Sequence, residues 1–163
     1  MAHIHINIGS NQGDRAANIE RAVALIANRL DPHSRAEIRL APIVESEPWG
    51  FDSENRFLNL GLMVVTENDD IPDPESILRQ LQAIEEEISS KPHRHADGSY
   101  KDREIDIDLI AVDDIVIDSP VLTLPHPRMS DRLFVLEPML ILDPQWRHPV
   151  SGLCLKELSD NVK

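Results

Sequence analysis

Asp106 and Asp108 are separated by one apolar residue within the run Asp102-Arg103-Glu104-Ile105-Asp106-Ile107-Asp108-Leu109-Ile110, where carboxylates alternate with branched apolar side chains. The alternation reads as a strand buried on one side and charged on the other. Strand geometry then places the two carboxylate stems on one face, about 6 to 7 Å apart. Carboxylates so close repel each other unless a counter-charge is present, and Mg²⁺ typically takes one or two of them while leaving its other positions to water and phosphate oxygens. Arg103 stands just before the pair. An Asp-x-Asp tripeptide alone is more often a solvated acidic face than a metal site, so the surroundings decide.

Several other residues are chemically conspicuous. Asn59 lies in the otherwise apolar run Phe57 to Thr66. A buried amide there must satisfy its hydrogen bonds, either from nearby backbone, the commoner solution, or from a planar heterocycle offering donors and acceptors, with Phe57 as a stacking face. His126 is held between Pro125 and Pro127, with Arg128 and Arg132 following four residues apart. The histidine either caps a turn or joins the arginines at an anion. No second His or Cys stands at metal-finger spacing, so zinc is not expected. Gly9-Ser10-Asn11-Gln12-Gly13 lacks both the Gly-Lys-Ser/Thr ending of a phosphate loop and the GxGxxG spacing of dinucleotide folds, and reads as a structural turn.

The elements that would position these groups follow from periodicity. Ile4, Ile6 and Ile8 alternate with His3, His5 and Asn7 as a half-buried first strand. Ile19, Ala22, Val23, Ile26 and Leu30 mark a helix from about Arg15 to Leu30. A second strand is expected over Ile38 to Ser46 and a third over Phe57 to Thr66. Asp73-Pro74-Glu75 is a helix start, with a capping carboxylate, a proline where no amide hydrogen is needed and an acid at the positive end of the dipole. That helix runs to about Ile88 on the stripe Ile77, Leu78, Leu81, Ile84 and Ile88, with Gln82 and Glu85 on a more polar side. The Asp-x-Asp strand comes next, then a short strand near Ile115 to Ile117 and a helix near Asp131 to Leu142 that Pro138 would kink or shorten. Strand, helix, strand, strand, helix, strand describes an α+β fold: a ferredoxin-like antiparallel sheet (βαββαβ core) with both helices on one face and a C-terminal extension.

With 163 residues the chain has room for one domain with a proper core, expected over 1–163. A net charge of -13 argues against general nucleic-acid binding. The basic residues gather at Lys91, Arg94, Lys101 and Arg103, beside His93 and His95, where a small polyanion could be held. No apolar run spans a bilayer and the first residues do not resemble a secretion signal, so a cytoplasmic location is expected. Cys154 is the single cysteine and reads as packing.

Taken together, these motifs resemble the 6-hydroxymethyl-7,8-dihydropterin pyrophosphokinases of the folate pathway over almost the whole chain. The resemblance rests on Ile8-Gly9-Ser10-Asn11, Glu47-Pro48-Trp49-Gly50 with Phe57-Leu58-Asn59, Gln82-x-x-Glu85, Arg103-x-x-Asp106-x-Asp108, and Leu124-Pro125-His126-Pro127-Arg128-Met129 with Arg132-x-Phe134. It implies transfer of pyrophosphate from ATP to the pterin hydroxymethyl oxygen, releasing AMP, with two Mg²⁺ ions between Asp106 and Asp108. It further implies that Asn59 reads the pterin edge, that Phe57 and Phe134 sandwich the ring, and that Ser46, Glu47 and Trp49 complete the pocket. Gln82, Glu85, Arg103, Leu109, Thr123, His126 and Arg132 would serve ATP. Tyr100 stands where many members have a tryptophan. The family's loop arginine has Lys91, Arg94 and Lys101 as candidates, of which Arg94 is favoured for its paired contact with phosphate, beside Arg103 in catalysis. The expected partners are these two small molecules, with no nucleic acid, no membrane and a monomeric state.

Overall fold

The computed structural model describes residues 1–47, 55–89 and 104–163. Its principal elements are β1 (Ala2–Ser10), α1 (Arg15–Leu30), β2 (Glu37–Leu40), β3 (Val44–Ser46), β4 (Phe57–Thr66), α2 (Pro74–Ile88), β5 (Asp106–Val112), β6 (Ile117–Asp118), β7 (Thr123–Leu124), α3 (Leu133–Leu142) and α4 (Leu155–Val162). β2, β4, β1 and β5 lie in that order in one sheet, and β3 also pairs with β4. Every pairing is antiparallel. β6 and β7 form a separate hairpin.

Alternation along the strands feeds two apolar layers. Ile4, Ile6 and Ile8, with Leu60, Leu62 and Val64 and with Ile107 and Leu109, meet the stripes Ile19, Ala22, Ile26 of α1 and Ile77, Leu81, Ile84, Ile88 of α2. Both helices start as expected: Asp14 accepts from the Ala17 amide at 3.1 Å and Asp73 from that of Ser76 at 3.2 Å. On the opposite face, Ile110, Ala111, Val135, Leu136, Met139, Trp146, Leu155 and Leu158 form a second core. A bulge makes this division possible. The β1–β5 register shifts between His5 and Ile6, so Leu109 and Val112 join the first core while the consecutive Ile110 and Ala111 join the second.

The second layer corrects the reading of β1 as half-buried. His5 and Asn7 are only 1% and 5% exposed, because the C-terminal helices cover the face that alternation had assigned to solvent. The expected second strand is two short ones: Pro42, between β2 and β3, has no N–H to give to a ladder. The short strand begins at Ile117 rather than Ile115, since Asp113 takes a φ of 48° and the Ile115 amide bonds back to Val112. α3 starts at Leu133, after a separate turn at Met129–Asp131. β5 begins at Asp106. No helix among the described residues is long and apolar enough to cross a membrane.

Pro138 does not end α3, which runs through it to Leu142. A proline there cannot donate to the carbonyl four residues earlier, that of Phe134. Asn7 supplies the missing bond from β1, its Nδ2 donating to Phe134 O at 3.0 Å. The proline ring rests directly on Gly61 of β4, where an added Cβ would collide with Pro138 Cβ. Gly61→Ala should therefore push α3 off the sheet and cost about 1–3 kcal/mol of stability in urea denaturation, far more than an Ala substitution at an open strand position.

Candidate active site

Strand register builds the site. Asp106 lies opposite Gly9, and Gly9 opposite Asn59; Asp108 lies opposite Asn7, and Asn7 opposite Gly61. Two rows thus cross the sheet on the face that α3 covers. Strands about 4.8 Å apart place Asp106 and Asn59 roughly 9.6 Å from each other, with only a glycine between them. A Cβ on Gly9 would come within 3.3 Å of both Asn59 Oδ1 and Phe57 Cδ1, so its absence opens the floor joining the amide to the carboxylates.

The walls come from β3, β4 and the start of α3. Asn59 Nδ2 donates to Ser46 Oγ at 2.7 Å, which fixes the amide's orientation. Asn7 holds the Phe134 carbonyl, seating that ring beside the same cleft. Arg132 is 8% exposed, lies 5.6 Å from the Phe134 ring centroid, and places Nη1 3.4 Å from Asp108 Oδ2. The cleft is lined by Ser46, Glu47, Phe57, Asn59, Asp106, Asp108, Arg132 and Phe134 together with Asn7 and Gly9. One end is aromatic with a fixed amide and the other is acidic. Two carboxylates on one strand face can hold a divalent cation while leaving most of its coordination to water and substrate oxygens.

A second cleft opens on the other side of Asp108. Its lining includes Leu109, Thr123 and His126, as well as Leu78, Leu122 and Pro120, and Asp108 belongs to both clefts. His126 is anchored by its own amide, which donates to Ile110 O at 2.8 Å. The Arg128 amide donates to His126 Nδ1 at 3.2 Å, so the neutral ring carries its proton on Nε2. Burial, then the charge of Arg132, lowers the His126 pKa to about 4; Arg128 adds to this and Asp106 opposes it. The imidazole is therefore a neutral donor at physiological pH, suited to a phosphate oxygen without adding full charge.

Glu85 and Gln82 line neither cleft. Glu85 reaches β5, accepting the Ile107 amide at 2.9 Å on Oε2 and so pinning the backbone between the two aspartates. Gln82 is exposed on α2. Trp49, Arg94, Tyr100 and Arg103, with the alternatives Lys91 and Lys101, lie outside the described residues. Asn7 and Gly9 were missed as site residues. The sequence did carry their signal, because alternation puts both on the face opposite Ile4, Ile6 and Ile8. The glycine turn is shorter than read, since Gly9 and Ser10 belong to β1 and only Gly13 of the two glycines takes a positive φ; Ser10 Oγ donates to Glu104 O, and Asn18 Nδ2 donates to Gln12 O and Glu104 O, each at 3.1 Å.

An α+β sheet covered on both faces, with paired carboxylates between an aromatic, amide-bearing cleft that also holds Arg132 and a second cleft that holds a neutral His, is the kind of site suited to phosphoryl transfer. Residues 5–144 match the family described as 7,8-dihydro-6-hydroxymethylpterin-pyrophosphokinase (HPPK). The 2-amino-4-hydroxy-6-hydroxymethyldihydropteridine pyrophosphokinase of Aquifex aeolicus is 31% identical over 157 residues, covering 96% of this chain and 90% of that protein. Its Porphyromonas gingivalis counterpart is 37% identical over 150 residues, covering 91% and 95%. The crystal structure of wild-type Plasmodium falciparum HPPK-DHPS with pteroate shares the fold at a TM-score of 0.70 and 14% identity, over 98% of this chain; the chain spans 44% of that structure's length. The chain belongs to the HPPK family, and it is a pyrophosphokinase.

The His126 shift fixes the sign of a pH effect. The unfolded histidine, near 6.5, takes up a proton before the folded one, near 4. Its contribution to stability is therefore complete above about pH 6.5 and is lost as pH falls towards 4. Urea denaturation across this window should show His126→Asn losing less stability on acidification than the unsubstituted chain, by at most about 3 kcal/mol. Parallel pH curves for the two proteins would remove His126 as the source.

Proposed function

We propose that this chain transfers the β,γ-pyrophosphoryl group of ATP to the hydroxymethyl oxygen of 6-hydroxymethyl-7,8-dihydropterin, giving the pterin diphosphate and AMP in tetrahydrofolate biosynthesis. The observation that carries this reading is that Asp108 lines both clefts, so that a heterocycle in one and a nucleotide in the other would meet at the carboxylates. The sheet order is consistent with a ferredoxin-like βαββαβ core, and we take 1–163 as one domain. The pterin's hydrogen-bonding edge would face Asn59 and Ser46, its ring would lie between Phe57 and Phe134, and its hydroxymethyl arm would cross the bare floor at Gly9 towards Asp106. Leu109 and Thr123 would border the adenine.

In this reaction the hydroxymethyl oxygen bonds to the β-phosphorus of ATP, the bond from that phosphorus to the oxygen shared with the α-phosphate breaks, and AMP departs with that oxygen. The hydroxyl proton is released to solvent. Asp106 and Asp108 would hold Mg²⁺, which supplies charge neutralisation of the triphosphate and polarises the attacking oxygen. The donor set fits: two carboxylates at a cleft without a rigid cage, next to space for phosphate. Arg132 and the Nε2–H of His126 would bind phosphate oxygens, and Arg94 and Arg103 would add charge from the basic segment. Glu85 would serve ATP indirectly, by fixing β5.

AMP formation from Mg-ATP should depend on the dihydropterin; pterin-independent release of AMP would instead make the site a hydrolase. Asp106→Ala and Asp108→Ala should each reduce turnover by more than about a thousandfold, the several kcal/mol expected of lost metal stabilisation, while circular dichroism stays native. Near-normal rates in either variant would refute the metal assignment. Gly9→Ala should raise KM for the pterin more than for ATP, since the added methyl crowds Asn59 and Phe57 but not the second cleft.

A further inference from the structure

The odd-numbered face of β1 carries a second group of potential ligands beyond the cleft. His5 Nε2 lies 2.9 Å from Asp143 Oδ2, and His3 Nδ1 lies 3.0 Å from the same oxygen. The three ligand atoms fall within 4.8 Å of one another, and the other described residues hold no comparable group of three His, Cys, Asp or Glu side chains. We propose that His3, His5 and Asp143 form a binding site for a first-row transition ion, Zn²⁺ above all, separate from the carboxylate pair at the cleft.

Three features support this. The first is the donor set: two imidazoles and one carboxylate are suited to Zn²⁺ with an open fourth position, and poorly suited to Mg²⁺, which prefers six oxygens. The second is preorganisation. His3 is fixed by its backbone, its amide donating to Asp113 Oδ1 at 2.7 Å and its carbonyl accepting from the Asp113 amide at 2.8 Å. Asp143 closes α3, its amide donating to Met139 O at 2.7 Å, and Trp146 covers His5 edge-on at 6.5 Å. Tetrahedral ligands about 2.0–2.1 Å from zinc stand about 3.3 Å apart, so the two spacings to Asp143 Oδ2 need to open by only a few tenths of an ångström.

The third is access. His5, 1% exposed, meets Asp143 through Nε2 and so presents that nitrogen to the cluster. His3 is 32% exposed and leaves a side of the cluster open for entry and for a water ligand. Finger spacing along the sequence could not reveal the site, because Asp143 is 138 residues from His5.

The test uses the full chain without a polyhistidine tag, in the Asp106→Asn/Asp108→Asn background, dialysed against Zn²⁺ and separately against Co²⁺. About one ion per chain should remain, cobalt should show the visible bands of a four- or five-coordinate N/O site, and excess Mg²⁺ should not displace it. Zinc at a hundredfold excess over its Kd should raise Tm by about 5–10 °C. His3→Gln, at a partly exposed position, should abolish retention, the cobalt bands and the Tm rise. In the otherwise unsubstituted chain it should leave pterin-dependent AMP formation unchanged. Asp143→Asn is the second variant, expected to weaken retention at least tenfold. Failure of the background protein to retain zinc, or retention undiminished by His3→Gln, would overturn the proposal without touching the proposed reaction.

Discussion

The contact on which the site most depends is the one between Pro138 and Gly61. It joins the helix that carries Arg132 and Phe134 at its start to the strand that carries Phe57 and Asn59, with no side chain between ring and backbone. A proline inside a helix costs a hydrogen bond, and here the loss is offset from outside, because Asn7 donates to the carbonyl that the proline leaves open. The residue that satisfies the backbone of α3 is also one that lines the cleft. Packing of α3, closure of its backbone bonds and placement of the aromatic wall are therefore a single arrangement, and disturbing any part of it moves the others.

Electrostatics works locally against a strongly acidic background. With a net charge of -13, the chain repels polyanions overall, so nucleotide binding needs positive charge concentrated at the site. Arg132 is buried at the junction of the clefts and His126 stays neutral beside it, so the described part of the site offers one fixed positive charge and one neutral donor. The remaining basic groups of that region, from Lys91 to Arg103, are concentrated in the sequence just before the acidic strand.

Much of this was legible in the sequence because strands and helices state their period. The cap at Asp73, the stripes of α1 and α2 and the shared face of Asp106 and Asp108 all follow from local rules, and the structure has them. What local rules could not state is which faces a later part of the chain would cover. His5 and Asn7 look solvent-facing by alternation and are buried by α3 and α4, whose positions depend on the Gly61 contact rather than on any pattern near β1. Pro138 read as a kink because its partner, Asn7, lies 127 residues from the carbonyl it satisfies. The β5 bulge was equally hidden: Leu109-Ile110-Ala111-Val112 is apolar throughout, so its sequence cannot say where the faces exchange.

The pairing of Arg132 with Asp108 reduces two costs at once. A guanidinium that is 8% exposed needs a counter-charge, and two aspartates on one strand face need a cation; at 3.4 Å each partially serves the other. That separation is longer than the 2.7–2.9 Å of a strong charge-assisted bond, so the pair is loosely joined. Under the proposed reaction, a divalent ion at the aspartates and phosphate oxygens at the arginine would each form a stronger interaction than this pair does. Loose complementarity between opposite charges, held by a rigid sheet and a helix locked to it, leaves both groups in fixed positions from which they can exchange partners.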